Sequence, residues 1–190
     1  MRYLLLFLLS MSAFAADNTI MIDQVGNDNT VIITQEGVGH SASVIIGNVV
    51  TSDSNAVTIT QQGTGIKTAG VEIQSGINNG VTINQDGSGN HVSNIQNLNG
   101  SANNITVGQT GDGNHTFNLL GGIGTTNSGN TVTATQSGGV GADKNFTLNM
   151  NGTSGANVNI QQTNPTQANT GNMSITCNTG SCGTYNYTRQ

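Results

Sequence analysis

Amide side chains recur at a fixed spacing in this sequence, and mutual hydrogen bonding is the chemistry that such spacing allows. An Asn is followed by a Gln six residues later at seven places. The pairs are Asn18/Gln24, Asn29/Gln35, Asn55/Gln61, Asn79/Gln85, Asn90/Gln96, Asn103/Gln109 and Asn130/Gln136. Because an amide both donates and accepts, identical amides stacked one strand apart can bond to each other. The spacing therefore predicts amide ladders that hold a stack together.

The segments between the paired amides are typical of β-strands. In "NAVTITQ", residues 55–61, apolar and polar residues alternate, so Val57 and Ile59 share a face with the two amides. A Gly follows the Gln by two residues in six of the pairs, as suits a tight turn with positive φ. These turn glycines are Gly26, Gly37, Gly63, Gly87, Gly111 and Gly138. Each unit is thus predicted to be a strand followed by a turn.

The repeat distance favours stacked rungs over long hairpins. Gln61, Gln85 and Gln109 lie 24 residues apart, which is about the length of a rung of two strands and two turns. In a hairpin sandwich the buried amides would lack partners, at a cost of about 1 to 3 kcal/mol each. The sequence predicts an all-β solenoid of about six two-strand rungs. The second strands are expected to start at Asn90, Asn114, Asn145 and Asn172, with longer loops at 47–54, 121–129 and 165–171.

The beginning of the chain differs from the rest. Residues 1–15, "MRYLLLFLLSMSAFA", combine Arg2, a short apolar run and an Ala-x-Ala site, as in a secretory signal peptide. The domain prediction is a signal peptide at 1–15, solenoid repeats at 16–178, and a C-terminal tail at 179–190. We expect a secreted protein without membrane insertion.

Composition excludes several classes of function. Charged residues make up 7% of the chain and the net charge is −5, so we expect no nucleic-acid binding. We assign no catalytic, cofactor-binding or metal-binding residue, because the acids are scattered and no nucleophile motif occurs. The segment "GGVGAD", 138–143, matches part of a calcium-binding repeat but occurs once, which favours a simple turn.

Cysteine and histidine give two further expectations. Cys177 and Cys182 are the two cysteines of the chain. In an oxidising compartment we expect them to form a disulfide worth about 2 kcal/mol, with free thiols as the alternative. His91 and His115 lie 24 residues apart, so we expect them to stack on neighbouring rungs and face solvent, with a metal pair as the alternative.

The repeats resemble the curlin repeat of curli, the amyloid fibres of bacterial surfaces. The family pattern is Ser-x5-Gln-x-Gly-x-x-Asn-x-Ala-x3-Gln, and two stretches of this chain fit it apart from Val in place of Ala. They are Gln85-x-Gly87-x-x-Asn90-x-Val92-x3-Gln96 and Gln24-x-Gly26-x-x-Asn29-x-Val31-x3-Gln35. Asn usually replaces the leading Ser.

The resemblance implies a secreted, self-assembling structural protein and not an enzyme. Its expected partner is itself, in a homopolymer built by end-to-end strand stacking, with a nucleator or a secretion pore as further partners. The implied location is an extracellular fibre at the cell surface, in biofilm matrix or adhesion. The implied residues are the ladder amides and the turn glycines.

Two other functions fit a monomeric solenoid. Outward threonines would form a partial ladder typical of ice-binding faces; they are Thr58, Thr60, Thr82, Thr106, Thr133 and Thr135. An adhesin or phage-fibre component also needs only repeats and a tip. Fibre growth by the purified protein separates both from the curlin-like interpretation.

Overall fold

The computed structural model describes residues 17–47, 52–121, 126–177 and 181–190, and the predicted signal peptide lies outside them. Over these residues the chain forms fourteen strands and no helix. They are β1 Thr19–Gln24, β2 Thr30–Glu36, β3 Ser41–Ile46, β4 Ala56–Gln62, β5 Lys67–Ser75, β6 Gly80–Asp86, β7 His91–Asn99, β8 Asn104–Gly111, β9 His115–Gly121, β10 Thr131–Gly138, β11 Lys144–Asn151, β12 Asn157–Gln162, β13 Asn169–Thr176 and β14 Thr184–Arg189.

The strands alternate between two parallel sheets. The odd sheet has the order β1-β3-β5-β7-β9-β11-β13, and the even sheet has the order β14-β12-β10-β8-β6-β4-β2. One rung is an odd strand followed by the next even strand. The fourteen strands thus form seven rungs, or about six full turns of a solenoid, which confirms the predicted all-β class and the approximate number of rungs.

Strict alternation along the even strands explains why they pack. In β6, Val81, Ile83 and Gln85 are buried, while the residues between them are exposed or half-buried. The register places Val57 beside Val81 and Ile59 beside Ile83, so β-branched side chains stack on their counterparts in the next rung. The core is the space between the two sheets, filled by such columns.

Glycines set the turn from each even strand to the next odd strand, which we call the glycine arc. Gly63 and Gly87 have φ values of 96° and 118°, a region that side chains rarely adopt. A Cβ on Gly63 would collide with the carbonyl of Gly87, and one on Gly87 with the carbonyl of Gly111. Neighbouring rungs approach too closely here for any side chain.

The predicted phase of the odd strands needs correction. β7 begins at His91, so His91, Ser93 and Ile95 point inward, while Gln96 is exposed. The sequence pattern predicts a strand that starts at Asn90, with Asn90 and Gln96 in the amide ladder. Asn90 instead belongs to the glycine arc, and a shift of one residue reverses every side chain of a strand.

The solenoid extends beyond residue 178, where the sequence had placed its end. β14 pairs with β12 over six residues, from Thr184 beside Asn157 to Arg189 beside Gln162. Cys177 and Cys182 are joined by a disulfide between β13 and β14, with their Cα atoms 5.9 Å apart. Half of the segment predicted as a tail, Thr184–Arg189, is therefore a strand of the even sheet.

Candidate assembly columns and their ends

The best-formed polar feature of the core is a column of glutamines on the even sheet. Its members are Gln35, Gln61, Gln85, Gln109, Gln136 and Gln162. Each Nε2 donates to the Oε1 of the next glutamine at 2.8 to 3.0 Å. Five were predicted as ladder residues. Gln162 was missed because Ala156 stands where the paired Asn would signal it.

The glutamine column also joins the two sheets. Nε2 of Gln61 donates to the Ser41 carbonyl at 3.0 Å, and Nε2 of Gln109 donates to the Val92 carbonyl at 2.9 Å. Each interior amide thus uses both of its N–H groups. Ser93 adds a bond from the odd sheet, because its hydroxyl donates to Gln109 Oε1 at 2.8 Å. The burial of these amides is offset by full pairing.

A second column of asparagines begins the even strands, at the end of the turn from the odd strand. Its members are Asn29, Asn55, Asn79, Asn103 and Asn130, all predicted and all buried. Asn79 is typical: its Nδ2 donates to Asn55 Oδ1 at 2.9 Å and to the Gly100 carbonyl at 2.8 Å. Its backbone N–H also donates to Asn55 Oδ1. The asparagine column therefore fixes the turn as well as the stack.

The two columns run in opposite senses and end differently. Glutamine amides donate towards β14, whereas asparagine amides donate towards β2. On β2, no described residue donates to Gln35 Oε1, and Asn29 Nδ2 uses one N–H on the Ser52 carbonyl. At the other edge, Ala156 ends the asparagine column and Arg189 follows Gln162. The β2 edge thus offers one acceptor and one donor.

The remaining predicted amides lie outside these columns. Asn18 accepts from the His40 N–H at 2.8 Å and donates to the Gly37 carbonyl. Asn90 is exposed: its Oδ1 accepts from the Ile66 N–H, and its own backbone N–H donates to Asn114 Oδ1. Gln24 and Gln96 are exposed and register with Ile46 and Leu120.

The turn glycines are divided between the glycine arc and the opposite turn, which leads from an odd strand to the next even strand. Gly37, Gly63, Gly87 and Gly111 lie in the glycine arc with positive φ, and Gly138 ends β10 just before it. Gly26 lies in the opposite turn, between β1 and β2, and also has positive φ. In the glycine arc they stack on one another, so this arc is a column of close backbone contacts.

His91 and His115 do stack on neighbouring rungs, but the prediction that they face solvent is wrong. Their rings lie 4.9 Å apart and nearly parallel, and both side chains are fully buried. The corrected phase of the odd strands explains this position. They belong to a column of inward His and Lys residues that the sequence pattern did not predict. We call His40, Lys67, His91, His115 and Lys144 the basic column.

Over the described residues the chain is a two-sheet parallel β-solenoid with self-pairing amide columns, and β1 and β2 at one end and β13 and β14 at the other are its edge strands. Among the described residues no helix has the length and apolar character to cross a membrane. Residues 15–63, which include β1 to β4, match the family model of the curlin associated repeat. This match supports the curlin-repeat resemblance that the sequence pattern indicated, over the part of the chain that the family model covers. No curated protein and no solved structure matches it.

Proposed function

We propose that the protein is a secreted subunit that stacks end to end into extracellular curli-like fibres of the biofilm matrix and cell surface. The observation that carries the proposal is the unfinished pair of amide columns on β2. Gln35 Oε1 and Asn29 Nδ2 face the position where another even strand would lie. A strand with a donor and an acceptor six residues apart would complete both columns.

The β1–β2 edge is also the most apolar exposed part of the described chain. Ile20, Met21, Val25, Ile32 and Val38 are between 39% and 54% exposed, and all belong to the first rung or its flanking turns. An unpaired strand edge with apolar side chains is a template for β-sheet addition. Stacking a second molecule there would pair the backbone and cover part of this surface.

The partner that fits best is a second copy of the chain, presenting β13 and β14. These strands are parallel to the rest of their sheets, so a copy can continue both sheets in the same direction. Arg189 occupies the glutamine register position on β14 and is exposed. Its guanidinium can donate to Gln35 Oε1 of the next molecule, although it cannot itself accept.

Two features of the chain support the proposed export. The leader pattern at residues 1–15 and the disulfide between Cys177 and Cys182 both suit an oxidising compartment outside the cytoplasm. A nucleator and a secretion pore are further partners in the proposal.

The test is assembly of the purified mature chain, residues 16–190, followed by thioflavin fluorescence and electron microscopy. We expect fibres with and without reductant. Gln35→Leu should slow elongation strongly, while Gln96→Leu, which changes an exposed glutamine, should not. A chain that stays monomeric under all conditions would refute the proposal. Fibres only with reductant would instead make the disulfide-bonded edge a cap.

One observation favours ice binding as the second candidate. Thr58, Thr82, Thr106 and Thr133 form a continuous outward column on the even sheet. The neighbouring column contains Asn84 and Gly108 beside Thr60 and Thr135, so the flat two-column array is broken. Thermal hysteresis in a chain that forms no fibres would select this function.

A further inference from the structure

The basic column fills the first inward position of the odd sheet. The register pairs Lys67 with His91, His91 with His115, and His115 with Lys144, while His40 lies one residue before the Ser41–Thr68 pair. All five side chains have 0% exposure. Five basic groups are thus buried in a single file along the inner side of the glycine arc.

The two lysines are held by backbone carbonyls of that arc. Lys67 Nζ donates to the carbonyls of Gly65, Gly87 and Gly89 at 2.7 to 3.0 Å, which uses all three of its protons. Lys144 Nζ donates to the carbonyls of Asn164 and Gln167. Backbone carbonyls of the turn thus replace water as hydrogen-bond acceptors for both ammonium groups, although burial lowers the pKa of each lysine.

The histidines have far fewer partners. His40 Nε2 and His115 Nε2 each lie about 3 Å from one backbone carbonyl, those of Glu36 and Thr110. Neither buried ring nitrogen of His91 makes a well-aligned hydrogen bond, and the nearby backbone groups of Gly111 and Gly113 offset only part of the lowering of its pKa by burial. His91 is therefore a neutral imidazole enclosed between Lys67 and the stacked ring of His115.

The surroundings offer little to neutralise an added proton. The charged and titratable groups that face His91 are Lys67, His115 and, further along the column, His40 and Lys144. The acids closest to the column are Asp86, which acts on Lys67, and Asp143, which acts on Lys144 and His115. Ser93, the next inward residue of β7, and Gln109, to which it donates, are neutral. Protonation of His91 would thus place a third charge between buried cations.

We propose that the basic column is an acid-sensitive element, which keeps the central rungs folded while its imidazoles are neutral and opens them when they are protonated. Burial, then Lys67 and then His115, lower the pKa of His91 from 6.5 to about 4. Burial is also the first cause of the lowered pKa values of His40 and His115.

The sign of the pH effect follows from these directions. A histidine with a lowered pKa binds its proton more readily in the unfolded chain, so acid favours unfolding. The stability from neutral His91 is complete above pH 6.5 and is lost as the pH falls towards 4. At pH 4.5 this histidine alone should reduce the folding equilibrium constant on the order of 100-fold relative to pH 7.5.

The experiment is urea unfolding of the mature chain, before any assembly, at pH 7.5 and 4.5. We expect the wild type to lose on the order of 100-fold in its folding constant, and His91→Gln/His115→Gln to lose much less. Asp28→Asn, which alters an exposed acid far from the column, should behave as the wild type does. Equal acid losses in the wild type and the double variant would overturn the proposal.

A measurement on the unaltered chain covers the case in which the double variant does not fold. NMR titration of the His91 ring should give a midpoint below about 5.5, well under the ordinary histidine value. A midpoint at or above the ordinary histidine pKa of about 6.5 would contradict the proposal. Neither measurement depends on fibre growth, so the result is separate from that of the assembly test.

Discussion

The two sheets bury polar side chains at equivalent places but satisfy them in different ways. In the glutamine column each amide bonds its own copy in the next rung. In the basic column no member bonds a copy, and Lys67 turns instead to three carbonyls of the glycine arc. The difference arises because an amide donates and accepts, whereas an ammonium only donates.

This contrast distinguishes the amide columns, which can continue into a further rung, from the basic column, which cannot. In a self-pairing column every interior side chain has its hydrogen-bond partners. The side chain at the end keeps an acceptor for a further rung, as Gln35 Oε1 does on β2. The basic column has no such repeat, and its members are flanked by Asn18 and Asn169. We therefore propose that the amide columns direct assembly and that the basic column makes the fold sensitive to acid.

Breaking the glutamine column should have the largest effect. Gln61→Leu, Gln85→Leu and Gln109→Leu together remove the donors for three odd-sheet carbonyls and interrupt the ladder. At about 1 to 3 kcal/mol for each buried group left unpaired, the loss should be on the order of 5 kcal/mol. Urea unfolding measures it. Gln96→Leu is the control, and a similar loss there would remove the distinction between inward and outward amides.

Substitution in the glycine arc, whose carbonyls accept hydrogen bonds from the basic column, should have the second-largest effect on stability. Gly87→Ala puts a methyl group against the Gly111 carbonyl and forces alanine into φ 118°. We expect a loss of about 3 kcal/mol in thermal or urea unfolding. Gly108→Ala is the matched control, because no atom lies near the added Cβ. If both variants lose the same stability, close rung contact is not the cause.

Removing one ammonium group of the basic column should reduce stability less and should also change the pKa of the neighbouring histidine. Lys67→Met leaves three arc carbonyls without their donor but also removes a buried charge, so we expect a net loss of about 2 kcal/mol. The pKa of His91 should rise, because Lys67 is the second cause that lowers it.

Lys67→Gln is the conservative comparison for this variant, since an amide can still donate to two carbonyls. It should recover part of the lost stability and show the same rise in the His91 pKa. An unchanged His91 midpoint in both variants would show that the column members do not interact.

The smallest predicted effect concerns the bond between the two kinds of column. Ser93→Ala removes the hydroxyl that donates to Gln109 Oε1. A loss of about 1 kcal/mol is expected in urea unfolding. Ser43, on the outer face of β3, gives the control Ser43→Ala, which should change stability little. A loss as large in the control would mean that the bond to Gln109 contributes nothing.

The sequence predicted the even sheet well for a physical reason. A column that pairs with itself needs the same residue at each rung, so Gln61, Gln85 and Gln109 are visible as a repeat. At the equivalent position of the odd sheet, side chains of different types bond to backbone carbonyls, as His40 and Lys67 do. This position therefore shows no repeat of a single residue type in the sequence. The phase of the odd sheet was also ambiguous, because Val92 is apolar yet lies outward of the buried His91 and Ser93. Register in such strands is fixed by the turn, which sequence alternation does not reveal.

Electron cryomicroscopy of fibres grown from the purified mature chain tests the central claim most directly. The account predicts strands perpendicular to the fibre axis at about 4.8 Å spacing, with both sheets continuing in parallel from β13 and β14 of one molecule to β1 and β2 of the next. Side-by-side solenoids, or antiparallel pairing between molecules, would contradict it.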